Sequence, residues 1–219
     1  MFPLRDTHTT GKFPFWVITI ITLNILVFYL ELTSVSPEAF IAQYALIPSL
    51  VDFNNLETLK PFITSQFLHA GFLHIISNMW FLWIFGDNVE DRLGKLIFPI
   101  FYLASGAAGA LLQYFFMPSG DIPMLGASGA IAGVLGAYFA LFKNHTVKTL
   151  IPVFGFPAVV EIPATVMLFY WFVTQLFSGA AGLVTASADI GGVAFFAHIG
   201  GFVFGWIMAK IFFNQTVSV

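Results

Sequence analysis

Six long apolar stretches, separated by shorter polar segments, run along the sequence. An α-helix needs about 20 apolar residues to cross hydrocarbon about 30 Å thick, and most of these stretches approach that length. We expect helices at Phe13–Leu32, Phe72–Phe85, Leu96–Met117, Ala127–Phe142, Pro163–Phe177 and Val193–Phe213. The pattern therefore predicts an all-α fold, a polytopic membrane helical bundle of six transmembrane helices.

Residues 33–70 form the one long connection between these stretches, an expected outer loop after the first helix. Within it, Ser36 followed by Pro37 is a favourable helix start, because proline at the first helical position has no N–H to leave unpaired. The aromatic residues Phe40 and Tyr44 follow. The segment is either a short helix at the outer interface of the bilayer or a plain surface loop, and the sequence leaves both open.

We expect one membrane domain over residues 1–219. It divides into an N-terminal segment 1–12, a six-helix core 13–213 and a tail 214–219. The first apolar stretch is long for the apolar region of a signal peptide, and no clear small-residue cleavage site follows it. We therefore assign it as a helix of the core.

The composition supports a membrane protein. Hydrophobic residues make up 58% of the chain and charged residues 9%, with a mean hydropathy of +0.90. An average soluble domain has roughly a quarter charged residues, so the charges here are too few to cover a water-facing surface. The net charge of −3 and the lack of a basic run argue against a nucleic-acid partner. The absence of cysteine excludes disulfides and thiolate chemistry, and no cofactor is expected.

The positively charged residues predict the orientation, since cytoplasmic loops are enriched in Lys and Arg. With a cytoplasmic N-terminus, seven of the eight basic residues fall inside and only Lys60 falls outside. The seven are Arg5, Lys12, Arg92, Lys95, Lys143, Lys148 and Lys210. We expect a multi-pass protein in the lipid bilayer with both termini in the cytoplasm.

Four polar side chains stand out in the predicted helices: His74 and Asn78 in the second, Ser128 at the start of the fourth and His198 in the sixth. Polar groups inside a membrane are costly and mark functional sites. The helical rise of about 1.5 Å per residue gives their depth when it is counted from charged residues at the inner membrane boundary. His74, Ser128 and His198 all lie about 18–22 Å above that boundary, at a common level. Because the serine begins its own short helix, we expect a water-filled hollow above it.

Small residues recur at every fourth position on two of these helices. They are Ser128, Ala132, Gly136 and Ala140 on the fourth, and Ala197, Gly201, Gly205 and Ala209 on the sixth. Small residues let membrane helices approach closely, so packing of the two stripes would bring His198 to Ser128. The alternative is ordinary helix packing with a buried histidine that hydrogen-bonds to the backbone.

Ser128 and His198 are suited to a catalytic dyad, in which the imidazole takes the hydroxyl proton and makes the serine a nucleophile. Asp189, nine residues from His198 in a predicted loop, is the nearest acid in the sequence. We therefore expect no carboxylate that orients the base.

An oxyanion next to this serine would need hydrogen-bond donors. Asn78 offers an amide and His74 a ring N–H, and their spacing of four residues puts both on one helix face. The N–H of Ser128 lies at a helix N-terminus, where backbone N–H groups have no internal partner. Gly126 and Gly129 keep both sides of the serine free of bulk.

Three motifs carry this chemistry: HIISN at residues 74–78, GASG at 126–129 and AHIGG at 197–201. In order and spacing they resemble the signatures of the rhomboid family of intramembrane serine proteases, in its six-span bacterial form. The segments FLHAGFLH at 67–74 and EDRLG at 90–94 also resemble family sequences. The resemblance covers nearly the whole chain, and the three motifs together are far more specific than GxSG alone.

The resemblance implies that Ser128 is the nucleophile and His198 the general base, with oxyanion stabilisation by Asn78, His74 and the Ser128 amide. The glycines expected to support the site are Gly126, Gly129 and Gly201. It also implies a bacterial inner-membrane protein that needs no metal ion. Its substrates would be single-span membrane proteins, cut near the outer face in a segment of low helix stability, because a helix must unwind before it is cleaved.

Two positions depart from the family pattern. Ala132 stands where some members have a tyrosine that stacks on the histidine, and Lys60-Pro61 stands where others have a Trp-Arg pair. The first changes the support of the histidine, and the second changes the anchoring of the outer loop.

The remaining histidines are expected outside the site, with His69 bound to backbone or shaping the outer loop and with His8 and His145 solvated. Leu176 and Phe177 on the fifth span would either form part of a lateral substrate gate or face lipid.

Two rival functions stay open: a non-catalytic relative that binds membrane helices, and a small-solute transporter. A metalloprotease is disfavoured because no HExxH motif is present.

Overall fold

The computed structural model, which is 66% helical, describes residues 1–8, 10–153, 155–185 and 194–213. In chain order the helices are α1 Phe15–Thr33, α2 Pro37–Tyr44, α3 Leu56–Leu59, α4 Pro61–Thr64, α5 Phe72–Leu93, α6 Phe98–Phe116, α7 Ser128–Leu141, α8 Ala164–Thr185 and α9 Phe195–Met208. One π-helical turn, Ala209–Phe213, continues α9. The predicted tail 214–219 lies outside the described residues.

The six predicted apolar helices correspond to α1, α5, α6, α7, α8 and α9, and each begins within two residues of its predicted start. Among the described helices, those at Phe15–Thr33, Phe98–Phe116 and Phe195–Phe212 are long and apolar enough to cross a membrane. The segments Leu56–Phe67 and Phe72–Leu93, bent by 80°, would form a fourth span as a pair. Helices α7 and α8 have shorter apolar parts, so a total of six spans stays a prediction.

Helix α5 continues to Leu93, well beyond the predicted end at Phe85. Its last turns carry Glu90, whose carboxylate oxygens accept hydrogen bonds from the N–H groups of Trp16 and Val17 at 3.0 and 2.9 Å. Those N–H groups belong to the first turn of α1, where a helix has no internal acceptors. The apolar pattern ends early because this part of α5 holds polar residues that bind a neighbouring helix.

The prediction of an all-α fold is wrong in one respect, because the chain also forms a three-stranded antiparallel sheet. Its strands, in spatial order, are β1 Phe2–Asp6, β2 Thr146–Val153 and β3 Phe156–Pro163. In β2, Val147 and Thr149 are buried between more exposed neighbours, which is the alternation of a strand packed on one face. Strand β1, near the N-terminus, pairs with β2, which lies far along the sequence. No local sequence pattern predicts such a pairing.

The sheet also corrects the expectation that His145 is solvated. Its ring is half-buried, stacks on His8 with centroids 4.4 Å apart and lies 3.0 Å from the hydroxyl of Tyr138. The pairing of β1 with β2 causes this burial, because it carries the N-terminal residues onto the end of α7. His8 itself is exposed, as expected.

Residues 33–70 contain the short helix of one of the two alternatives, while its place at the outer interface of the bilayer stays a prediction. Helix α2 begins after Ser36, whose hydroxyl accepts a backbone N–H of the first turn at 3.3 Å. The hydroxyl of Thr64 donates to the carbonyl of Tyr44 at 2.7 Å, which folds the segment back on itself. Leu46 pairs with Met124, so the segment packs on the residues that lead into α7.

Helix α7 lies at the centre of the bundle, with almost all of its residues buried. Helix α9 rests directly on its backbone: a Cβ at Gly201 or Gly205 would collide with the carbonyl of Gly129 or Gly133 respectively. The predicted packing of the two small-residue stripes is therefore confirmed.

Candidate active site

Ser128 and His198 are in direct contact. Ser128 is the first residue of α7, and its Oγ lies 2.7 Å from Nε2 of His198 on α9. Both residues are half-buried. Because Gly201, one turn after the histidine, rests on the carbonyl of Gly129, backbone contact holds the two side chains at this distance. The expected meeting of the two side chains is confirmed, while their catalytic roles stay a prediction.

The second ring nitrogen of His198 is held from α8, where Oε1 of Gln175 lies 2.8 Å from Nδ1. A carbonyl oxygen only accepts, so Nδ1 carries the ring proton and Nε2 presents a lone pair to the serine hydroxyl. Sequence reasoning missed Gln175, although a glutamine inside an apolar helix is itself a signal of a functional site. Asp189, the acid considered for this role, lies outside the described residues.

An aromatic ring from α8 also lies beside the base. The centroids of Trp171 and His198 are 5.9 Å apart, with the ring planes inclined by 34°. Ala132, which replaces the stacking tyrosine of some relatives, is fully buried, and a Cβ on Gly201 would lie 3.4 Å from its Cβ. Because α7 and α9 are this close, the ring inclined over the imidazole comes from α8 instead of α7, and Phe195 adds an edge contact at 6.4 Å.

His74 lies next to the serine, on the side of Gly126. Gly126 has a φ of 122°, which glycine adopts readily, and a Cβ there would lie 2.7 Å from Nε2 of His74 and 3.7 Å from Oγ of Ser128. The N–H of Ala70 donates to Nδ1 of His74 at 3.4 Å. In a neutral ring the proton is then on Nε2, the nitrogen that lies beside Gly126.

Asn78 is buried one turn further along α5, and its Nδ2 lies 3.0 Å from Nε2 of His69. One N–H of the amide donates to that ring, and the second remains for another acceptor. His69 is fully buried, and its backbone N–H donates to the carboxylate of Glu31 at 3.2 Å. The expectation for His69 was therefore incomplete, because its ring also fixes the orientation of Asn78.

The backbone around the serine adds a further donor. As the first residue of α7, Ser128 has an N–H with no acceptor inside the helix, and no side chain caps this end. The loop that precedes it is fixed by the N–H of Gly126, which donates to the carbonyl of Ser65 at 2.9 Å. A nucleophile, a base with a defined tautomer and several N–H donors are thus grouped as acyl transfer requires.

The sequence of the chain also matches a known protein family. Residues 57–215 match the model of the rhomboid domain. The chain belongs to the rhomboid family. The matched region contains His74, Asn78, Ser128 and His198, whereas β1 and α1 precede it. Together with its apolar helices, this makes the chain an integral membrane protein of the rhomboid type.

Several curated rhomboid proteins are similar to this chain. RHOMBOID-like protein 6, mitochondrial, of Arabidopsis thaliana is 30% identical over 159 residues, which cover 71% of this chain and 44% of that protein. Rhomboid protein 1, mitochondrial, of Saccharomyces cerevisiae is 32% identical over 156 residues, covering 68% and 41%. YdcA of Bacillus subtilis, named as a proposed rhomboid protease, is 39% identical over 87 residues, covering 39% and 43%. The matched part of this rhomboid spans less than half the length of each relative.

Proposed function

We propose that this rhomboid is an intramembrane serine endopeptidase that cleaves membrane-protein helices near the outer face through an acyl-enzyme. The observation that carries the proposal is the 2.7 Å contact between Oγ of Ser128 and Nε2 of His198. It supports general-base activation of the serine because this distance suits proton transfer. The relative named as a proposed rhomboid protease is a second, weaker support.

In the first step, Nε2 of His198 takes the proton of Ser128 while Oγ attacks the carbonyl carbon of the scissile peptide. Gln175 accepts the hydrogen bond from Nδ1–H and so favours the imidazolium that forms. The carbonyl electrons move to the oxygen, which becomes the oxyanion. The N–H of Ser128, the Nε2–H of His74 and the second N–H of Asn78 are the donors proposed to stabilise it.

In the second step, the imidazolium gives its proton to the leaving amine and the carbon–nitrogen bond breaks. The acyl group stays on Ser128. A water molecule, deprotonated by His198, then attacks the ester carbonyl, and the same donors stabilise a second oxyanion. Loss of the serine oxygen, reprotonated by the imidazolium, releases the new carboxyl terminus.

We further propose a single membrane domain over residues 1–219 with six spans and both termini in the cytoplasm. The distribution of Lys and Arg supports this orientation, and a bacterial inner membrane agrees with the six-span form. Helix α7 has 14 residues, or about 21 Å of rise, which is less than the hydrocarbon thickness. A serine at its start would thus lie below the membrane surface, under a hollow that admits water.

The same placement supports single-span membrane proteins as the substrate class. A peptide carbonyl inside an intact helix is hydrogen-bonded and shielded by its own turn. It reaches Ser128 only after local unwinding, so segments with poor helix formers react most readily. Neither nucleic acid nor a metal ion has a part in this mechanism.

The test is cleavage of a single-span model substrate by the full chain in proteoliposomes. Ser128→Ala and His198→Ala should each reduce cleavage below detection, because neither nucleophile nor base has a substitute. Ser49→Ala, which removes an exposed serine hydroxyl elsewhere, should cleave like the wild type. A wild type that binds the substrate helix without cutting it would instead indicate a non-catalytic relative. Solute uptake that survives Ser128→Ala would indicate a transporter.

A further inference from the structure

A second cluster of reactive side chains lies at the other end of α7 from the serine. Asp6, His8 and His145 each offer one possible ligand atom, and these atoms lie within 4.8 Å of one another. The sheet creates the cluster, since Asp6 ends β1 and His145 directly precedes β2. Tyr138 marks this end of α7, ten residues or about 15 Å along the helix from Ser128.

The carboxylate of Asp6 is buried and held in place by three donors. Its Oδ1 accepts the backbone N–H of His8 at 2.9 Å. Its Oδ2 accepts the hydroxyl of Tyr138 and the side-chain amide of Asn88. These bonds hold the carboxylate in one orientation, as outer-shell partners do for metal ligands.

The ion pair described for the carboxylate of Asp6 is with an imidazole. Nδ1 of His145 lies 3.5 Å from Oδ2. An imidazole is mostly neutral at neutral pH, unlike Lys or Arg. Buried charges in proteins are paired with an opposite charge or bind a metal ion. A carboxylate beside two imidazoles fits the second case.

The distances agree with a tetrahedral ion. Zinc binds imidazole nitrogen and carboxylate oxygen at about 2.0–2.2 Å, which places neighbouring ligand atoms about 3.3 Å apart. The 3.5 Å between Oδ2 of Asp6 and Nδ1 of His145 is close to that value, and an ion there would replace the hydrogen bonds that both atoms form with the hydroxyl of Tyr138. The ring of His8 stacks on His145 at an angle of 21°, and because a metal ion lies in the plane of the imidazole that binds it, binding requires a shift of the His8 ring out of this stack. His8 is exposed, so its ring has room for that shift.

We propose that Asp6, His8 and His145 bind one divalent transition-metal ion of the zinc type, with water as the fourth ligand. Two imidazoles and one carboxylate are a donor set for zinc, whereas calcium and magnesium sites use oxygen ligands. The ion joins the end of β1 to the connection between α7 and β2, and it thereby holds the N-terminal strand on the bundle. This site is separate from Ser128 and does not depend on protease activity.

The experiment uses the full chain without a polyhistidine tag, treated with chelator and titrated with Co²⁺. We expect one Co²⁺ per chain with the visible absorption of a tetrahedral site, displaced by Zn²⁺. His8→Gln and His145→Gln should each weaken binding by at least about tenfold, since even outer-shell changes have effects of this size. Glu161→Gln, on the adjacent strand and paired with the half-exposed Lys148, should bind like the wild type.

A second readout separates metal binding from a purely structural role. Zn²⁺ should raise the unfolding temperature of the wild type and of Ser128→Ala but not that of His8→Gln. Because His8 is exposed, His8→Gln should match the wild type when no metal is present. Absence of saturable Co²⁺ uptake, or equal uptake by His8→Gln and wild type, would overturn the proposal and leave a hydrogen-bond network that anchors β1. If His145→Gln does not fold, His8→Gln decides alone.

Discussion

Two helices, α7 and α8, pack against the helix that carries His198, and they do so in different ways. Helix α9, which carries the histidine, touches α7 through backbone, with Gly201 and Gly205 resting on the carbonyls of Gly129 and Gly133. Helix α8 reaches the histidine only through side chains. Between α7, α8 and α9 lies an apolar groove lined by Phe139, Phe169, Phe172, Phe202, Val203 and Trp206. The contact between α7 and α9 is close and involves no side chain that can rotate. The contact between α8 and α9 depends on the side-chain conformations of α8.

This difference separates two requirements of a catalytic base. Proton transfer needs a short distance to Ser128, and the glycine contact between α7 and α9 provides it. The base also needs the right tautomer, and Gln175 on α8 provides the acceptor. Leu176 and Phe177, which follow it, expose 43% and 73% of their surface, whether to lipid or at a substrate gate. A shift of α8 would therefore change the orientation of the base before it changes the distance.

Widening the contact between α7 and α9 should have the largest effect. Gly201→Val places a branched side chain against the carbonyl of Gly129, and a displacement of about 1 Å at a reacting group costs about 100-fold in rate. We expect initial cleavage rates in proteoliposomes to fall by at least about that factor. Val203→Ala, on the same helix but facing the groove, should cleave nearly as well as the wild type. Similar rates for both variants would show that the glycine contact does not position the dyad.

Removing the acceptor on α8 should have a smaller effect. Gln175→Leu should lower kcat by about 10- to 100-fold, part of what a general base contributes, and leave KM nearly unchanged. Gln175→Glu should restore activity, because a carboxylate also accepts the Nδ1 proton. Its charge favours the imidazolium, so the acidic limb of the pH–rate profile should move to higher pH. A wild-type kcat in Gln175→Leu would show that the amide does not position the base.

Removing the aromatic neighbour should have the smallest effect of the three. An aromatic contact contributes about 0.5–1.5 kcal/mol, so Trp171→Ala should slow cleavage by about two- to tenfold. Trp171→Phe keeps a ring beside His198 and should retain most of the rate. The comparison of kcat values for the two variants is the measurement. A loss larger than that of Gln175→Leu would mean that ring packing, and not the amide, is the main contribution of α8.

The sequence predicts those parts of this rhomboid that local patterns specify. Apolar stretches of helical length place the starts of six helices, and the small-residue stripes predict that α7 meets α9. The contact between Ser128 and His198 follows from that packing, because Ser128 belongs to one stripe and His198 borders the other. Gly126 was predicted to keep one side of the serine free of bulk, and a Cβ there would lie 2.7 Å from the ring of His74.

The parts that the sequence does not predict depend on contacts between distant residues. Asp6 pairs with Val147, which is far from it in the sequence, so no local periodicity of the sequence predicts the pairing. This pairing buries His145. The extension of α5 depends on Glu90 binding the first turn of α1. Gln175 is one polar residue in an apolar helix, and only the packing of α8 shows that it faces His198.

The most direct test of the central claim is the reaction of the full chain with a fluorophosphonate, located by mass spectrometry. The reagent modifies a serine hydroxyl that a neighbouring base activates. We predict one adduct on Ser128 in the wild type and in Ser49→Ala, and none in His198→Ala. No adduct on the wild type, or equal labelling of Ser128 when His198 is absent, would contradict a dyad formed by these two residues.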